Sequence, residues 1–355
     1  MRSSIRRSVL LTAFALPAFA LACADDETTP AATVGPDLGA ARVLSDSLDA
    51  AYLSIWSDRS GGESVWMVGG AGGRGRALEW RGDSWTDHET GLTQRLWWVH
   101  GFEGGPVIVV GEGGVAGRYE DGTWTPTPTD AVGSILYGVW GATPDDLWAV
   151  GGPWSRAPSG VTPEGDVVLR WKDGAWSRFA VPALEGKPAS AQTFLFKVWG
   201  TSADQAIIVG SSGLALHWDG ATWRQEPTGD TSGPLFTVSG RAADDAYAIG
   251  GFNEMRVIHW DGAAWSPLPG AAFSPALTQG IFAGAPGAIY VGGISGYLGK
   301  FASETWSEPE PITAAGFHAV WVDGDGAFWA AGGDIMSDDP STGVLVTTRA
   351  GVSAP

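Results

Sequence analysis

The sequence predicts an all-β protein: a seven-bladed β-propeller with four antiparallel strands per blade, closed into a ring by an N-terminal strand. Three observations predict it. An apolar segment recurs seven times, centred at Ile55, Val99, Val139, Val198, Val238, Phe282 and Val320. A second apolar run bounded by glycine follows each copy, as in Val65–Gly69 and Ala246–Gly250. That is the pattern of a strand buried on both faces. Two further strand signals complete each unit, joined in several copies by Asp-Gly: Asp121-Gly122, Asp173-Gly174, Asp219-Gly220 and Asp261-Gly262. Asp-Gly between strands marks a hairpin, because the tight turn needs positive φ. A four-stranded unit of about 40–50 residues cannot bury both faces alone, so the units must stack radially.

Composition agrees. The chain has 355 residues, with 53 Gly, 20 Trp and a single Cys. At 44% hydrophobic and 17% charged it is not a disordered chain. With 39 acidic against 21 basic residues its formal charge is −18, which leaves no basic footprint for nucleic acid. One Cys can form no intrachain disulfide.

In chain order, Arg2, Arg6 and Arg7 precede an apolar run from Val9 to Ala22 that is too short to span a bilayer. It ends in Ala20-Leu21-Ala22-Cys23. This resembles a bacterial lipoprotein signal, which implies a signal peptide over 1–22 and lipidation of Cys23. Residues 23–39 are acidic and rich in Thr, Pro and Ala, the composition of a solvated tether. The propeller then occupies 40–355. Its last unit has strand signals near Ala319, at Phe328–Ala331 and at Val344–Thr347, and no fourth. Ala40–Leu44 stands before the first unit at the spacing of a fourth strand, and is expected to complete that last blade and remove an open edge.

The order apolar strand, Gly-Gly, aromatic, Trp resembles Kelch-type propellers, most clearly in Ala246–Gly251, Trp260 and Trp265–Pro269. The Asp-Gly-x-x-Trp hairpin resembles the Asp-box of BNR and sialidase-type propellers, although here the Asp directly precedes the Gly. The first two strands look most like repeats of exported bacterial propeller lipoproteins. The resemblance implies an envelope location, with an outer-membrane lipoprotein expected, and names no activity.

Seventeen of the Trp fall in recurring slots: four with Trp140, three with Trp148, four with Trp171 and six with Trp176. A residue repeated blade after blade packs blade on blade. Trp97, Trp98 and Trp154 stand outside these slots, and Trp98 alternates inward with Leu96. His217 and His259 share a slot that also holds Glu79, Arg118 and Arg170, so the slot reads as solvent-facing and not as a metal pair. No His cluster has zinc spacing. Asp323-Gly324-Asp325-Gly326 lacks the later ligands of a calcium loop and sits where a turn belongs. No metal and no cofactor are expected. A sialidase-like site would need an arginine cluster, and a copper radical oxidase would need a Cys near a Tyr; neither is present in the sequence. A glycosidase carboxylate pair has no spacing to select it.

Two connections are long: Pro153 to Asp166 inside the third blade and Val181 to Thr193 joining the third blade to the fourth. Both belong on the face shared by blade-to-blade links, where loops held by a rigid scaffold carry binding residues. They should lie side by side. Trp154, Arg156, Glu164, Asp166, Glu185 and Lys187, with Trp97, are therefore the candidate ligand residues. The function expected is that of a lipid-anchored, monomeric binding or scaffolding module that meets a protein or glycan through its loop face. It touches membrane through Cys23 alone and binds no nucleic acid. The alternatives are a glycan hydrolase with carboxylates at the central channel and an assembly factor for an envelope complex. A close buried carboxylate pair, one pKa raised, would mark the enzyme, and exposed aromatics on the rim would mark binding.

Overall fold

The computed structural model describes residues 35–59, 64–186, 192–268, 277–284, 287–334, 337 and 341–355. The signal segment, Cys23 and Lys187 lie outside the described residues. Within them are 28 strands in seven four-stranded antiparallel sheets. The first strand of each unit is innermost: Ala51–Ser57, Leu96–Gly101, Ser134–Thr143, Leu195–Ser202, Leu235–Ala242, Thr278–Phe282 and Gly316–Val322. Each touches the next, and the last touches the first, so these seven strands wall a central channel.

The ring closes as expected, with a shift in boundary. Arg42–Leu48 pairs antiparallel with Gly343–Thr347 and completes the blade built from Gly316–Val322 and Phe328–Gly333. The preceding Leu38–Ala40 is a 3₁₀ turn, whose start is capped by the Asp37 carboxylate accepting the Gly39 N–H at 3.0 Å. Leu38 is buried against blades six and seven beside Tyr290 and Phe328. The Tyr290 hydroxyl donates to the Pro36 carbonyl at 3.2 Å, and Lys300 Nζ donates to the same oxygen at 3.1 Å. The end of the expected tether is thus pinned to the ring, because an apolar Leu four residues before the strand has a cluster to enter.

The outer hairpins use Asp-Gly in two ways. In blades two and three both central residues have positive φ: Asp121 50° and Gly122 79°, Asp173 53° and Gly174 79°. In blades four and five Asp-Gly sits one residue earlier relative to the flanking Trp. There the Asp219 carboxylate accepts the Ala221 and Thr222 N–H groups at 3.0 and 2.8 Å, and Asp261 does the same for Ala263 and Ala264. A short acid side chain replaces a backbone bond in closing the turn.

The outer Trp slots pack between blades. Trp148 of blade three lies 4.9 Å from Trp218 and 5.2 Å from Trp223 of blade four. Trp66 meets Tyr119 and Trp124 in the same way, and Trp329 meets Trp80 and Trp85. Near the axis Trp56, Trp140 and Trp199 cover Gly101, Gly200 and Gly240 of the following blade. A methyl group on any of these glycines would lie 2.4 to 2.7 Å from a ring atom.

One expectation is corrected here. The slot of His217 and His259 is not open to solvent: Glu79 is 5% exposed and the others are half-buried. The slot lies between neighbouring blades, where each group finds a local partner. Arg170 makes a two-pronged bond to Asp146, at 2.8 Å on each arm. His259 Nε2 lies 3.0 Å from Asp245 and stacks on Tyr247, while His217 meets the edge of Trp260. Asp323 is a turn-former, as read from the sequence: its carboxylate accepts the Asp325 and Ala327 N–H groups.

Candidate functional site

The site begins with an irregularity common to all seven blades. In each inner strand the register slips by one residue against the second strand. The extra residues are Leu53, Trp97, Tyr137, Phe196, Phe236, Gln279 and His318. A bulge breaks strand alternation and re-aims the side chain it carries. It also pushes a carbonyl of the inner strand onto the second strand, which explains many of the glycines. A Cβ on Gly69, Gly111, Gly151, Gly210, Gly250 or Gly332 would fall 1.9 to 2.4 Å from that oxygen.

The bulged side chains gather at the end of the channel where the inner strands begin. Trp97 of blade two meets Tyr137 at 4.9 Å and reaches past blade one to His318 of blade seven at 5.7 Å. Tyr137 meets Phe196 at 5.5 Å, and Phe196 meets Phe236 at 5.4 Å. Phe194 stacks on Phe196 at 5.7 Å, and Phe236 touches Phe252, which is 58% exposed. Six aromatic rings therefore run in contact from blade two to blade five. Apart from Phe252 they are half-buried, so each keeps a solvent-facing part. Trp97 Nε1 is buried without a hydrogen-bond partner.

The two long loops meet at this same end, as the sequence led us to expect. The Trp154 and Glu164 N–H groups both donate to the Gly133 carbonyl. The Thr193 N–H donates to the Asp166 carboxylate at 2.8 Å, and Gln192 Nε2 donates to the Pro163 carbonyl at 3.0 Å. Of the candidate residues, Trp97 joins the aromatic belt. Trp154 is 8% exposed and packs over Gly113. Glu164 is engaged by Arg178, and Asp166 holds the loop junction at φ 56°. Arg156 and Glu185 are exposed, the latter with its N–H bonded to Gln225 Oε1. The structure brings Trp154, Glu164 and Asp166 together as scaffolding for the loops.

Sequence reasoning passed over Tyr137, Phe196 and Phe236, which stand in the slot of Trp97. Their common signal was an aromatic at one slot in four consecutive copies, beside Leu53, Gln279 and His318 in the other three.

Beneath the belt the channel carries a buried lysine and two histidines. Lys197 of blade four is 3% exposed. Its Nζ donates to the Tyr137 carbonyl at 2.7 Å and lies 3.5 Å from the centre of the Trp98 ring, across blade three. Burial drives its pKa well below the usual lysine range. His318 Nδ1 bonds the Leu53 carbonyl at 2.6 Å. Burial, helped by the nearby Lys197, lowers its pKa to about 3. His100, bonded to the Gly141 carbonyl, is lowered by burial to about 4.

Carboxylates behave differently. Burial works against the charge of Glu79, yet bonds from His88 and Arg81 hold it below the ordinary range. Bonds from Arg170 hold Asp146 low, and backbone N–H groups hold Asp219 and Asp261 low. Among the described residues no group of three or more His, Cys, Asp or Glu could hold a metal ion, and no helix is long and apolar enough to cross a membrane.

No family model matches the chain, and no curated protein matches it in sequence. Its fold has many solved counterparts. RRP9 WD40 repeats align with a TM-score of 0.65 at 9% identity, covering 89% of this chain and 99% of theirs. YCF48 bound to D1 peptide aligns with a TM-score of 0.62 at 16% identity, covering 88% and 98%. The WD40 β-propeller domain of Doa1 aligns at 0.62 and 12%, covering 86% and 96%. Identities this low speak to fold alone, and the Kelch-type and BNR-type likeness gains no support from them. The chain is thus a seven-bladed β-propeller with WD40-like neighbours, carrying a half-ring of aromatics at the loop end of its channel.

Proposed function

We propose that this chain is a binding propeller of the bacterial envelope, anchored through a lipid on Cys23, that holds an extended protein segment across the aromatic belt. The observation that carries the reading is the belt itself: Trp97, Tyr137, Phe194, Phe196, Phe236 and Phe252 in unbroken contact, half-buried apart from the exposed Phe252, on the face where the long loops stand. Aromatic rings give a partner large apolar area at little conformational cost, and they dominate binding energy at interfaces. An extended segment suits a belt that crosses four blades better than a single side chain does. The acids whose pKa values are displaced all move down, each committed to an Arg, a His or backbone N–H groups, which favours binding over carboxylate-pair hydrolysis. The YCF48 propeller bound to D1 peptide offers a parallel for peptide capture on this fold.

The test is a peptide array read with the full chain, followed by titration of the best binder against Phe236→Ser/Phe252→Ser. We expect affinity to fall at least about tenfold, the loss typical of an interface anchor. An unchanged affinity removes the belt from the reading. Anchoring is checked separately: Cys23→Ala should abolish metabolic labelling by a fatty acid and leave the thermal transition of the propeller where it was.

A further inference from the structure

At the opposite end of the channel, where the inner strands turn into the second strands, lies a cavity of about 220 Å³. Its wall is apolar and aromatic, including Trp56, Trp98, Trp140, Trp199, Phe282 and Trp321. Among the described residues, the titratable groups lining it are Arg59 and His100. Lys197 lies behind Trp98, its Nζ over the ring of a residue that also lines the cavity. In a chain with 39 acidic and 21 basic residues, the described lining of this cavity holds Arg59 and His100 and no carboxylate. General basicity cannot produce that arrangement here, because the chain as a whole is strongly acidic.

Arg59 stands at the rim. Its side chain is exposed, donates from Nη1 to the Gly284 carbonyl at 3.2 Å, and lies over the Phe282 ring at 5.6 Å. Both contacts leave guanidinium N–H groups free for a ligand, and a guanidinium matches the two oxygens of a carboxylate. An apolar wall with a cation at its rim selects for a molecule with an apolar body and one negative end. Inorganic phosphate would leave the aromatic wall unused.

We propose that this end of the channel binds a small apolar carboxylate, its body against Trp98, Trp140 and Trp199 and its charged end at Arg59. The site is independent of the segment-binding belt and uses none of its residues.

Isothermal titration of the full chain with benzoate, benzamide and inorganic phosphate tests it. Benzoate should bind saturably, benzamide at least about tenfold more weakly, and phosphate not at all. Arg59→Gln, a change at an exposed position, should weaken benzoate at least about tenfold and leave benzamide as it was. Ser239→Trp, combined with Ala283→Gly to give the indole the glycine seat that Trp56, Trp140 and Trp199 have on the following blade, should fill the mouth and abolish benzoate binding in a variant that still melts cooperatively. Benzoate and benzamide binding equally, no saturable benzoate binding, or a folded Ser239→Trp/Ala283→Gly variant binding as before would overturn the proposal. A short peptide ending in a Phe carboxylate, run beside its amide, tells whether the natural acid is a chain end or a free small molecule. Phe236→Ser/Phe252→Ser should leave benzoate binding unchanged, so failure of the belt and failure of this site read out separately.

Discussion

His100 and His318 show at the scale of one residue how the channel sets a pH limit on the fold. Burial lowers them to about 4 and about 3, from an ordinary value near 6.5. Below pH 6.5 the unfolded chain takes up protons that the folded chain refuses, so stability falls as pH drops and is fully present only above about 6.5. The cost approaches roughly 1.4 kcal/mol per histidine for each pH unit of that window. The urea midpoint should therefore be flat above pH 7 and fall between pH 6.5 and 4. In His318→Asn, which keeps an N–H for the Leu53 carbonyl, the fall should be shallower. An unchanged pH profile in that variant would show that His318 does not carry the effect. Asp146 loses its Arg170 bonds on protonation and adds a loss of the same sign at lower pH.

At the scale of one element, the bulged inner strand ties the glycine pattern to the aromatic belt. Gly250 has to be glycine because the Pro234 carbonyl, displaced by the bulge at Phe236, occupies the place of a Cβ at 2.0 Å. Gly250→Ala must flatten the bulge or spread the two strands, at a cost of about 2–4 kcal/mol. The expected result is a lower denaturant midpoint together with altered near-ultraviolet signals from the belt. The glycines were legible in the sequence as strand ends, and so were the paired strands they bound. Their reason was not. A two-residue alternation assigns Tyr137, Phe196 and Phe236 to one face or the other of a regular strand, and nothing in the local sequence marks the extra residue that turns them into the channel. The Glu79 slot misled for a related cause: varied residue types read as exposure, whereas each of them meets a different partner in the seam between blades.

For the whole molecule, blade number and closure could be read from repeat count and spacing, and only the boundary moved. Leu38–Ala40 continues the apolar pattern of the strand, so local sequence could not separate a capped 3₁₀ turn from its first residues. Removing residues 35–48 should uncover the Gly343–Thr347 edge and leave blade seven with three strands. We expect a transition at least about 10 °C lower and a shift to oligomers in light scattering. A monomer melting as the intact ring does would contradict the closure as a source of stability.

The closing strand also has a mechanical meaning. Arg42–Leu48 is the outermost strand of its blade and the first strand among the described residues. Any pull delivered through the residues before it first meets the contacts of Pro36 and Leu38 with blade six, and then falls on its ladder to Gly343–Thr347. A ring held this way has its latch on the path of the load: tension from an N-terminal attachment would strip residues 36–38 from blade six and then open blade seven, while the aromatic belt across blades two to five stayed assembled.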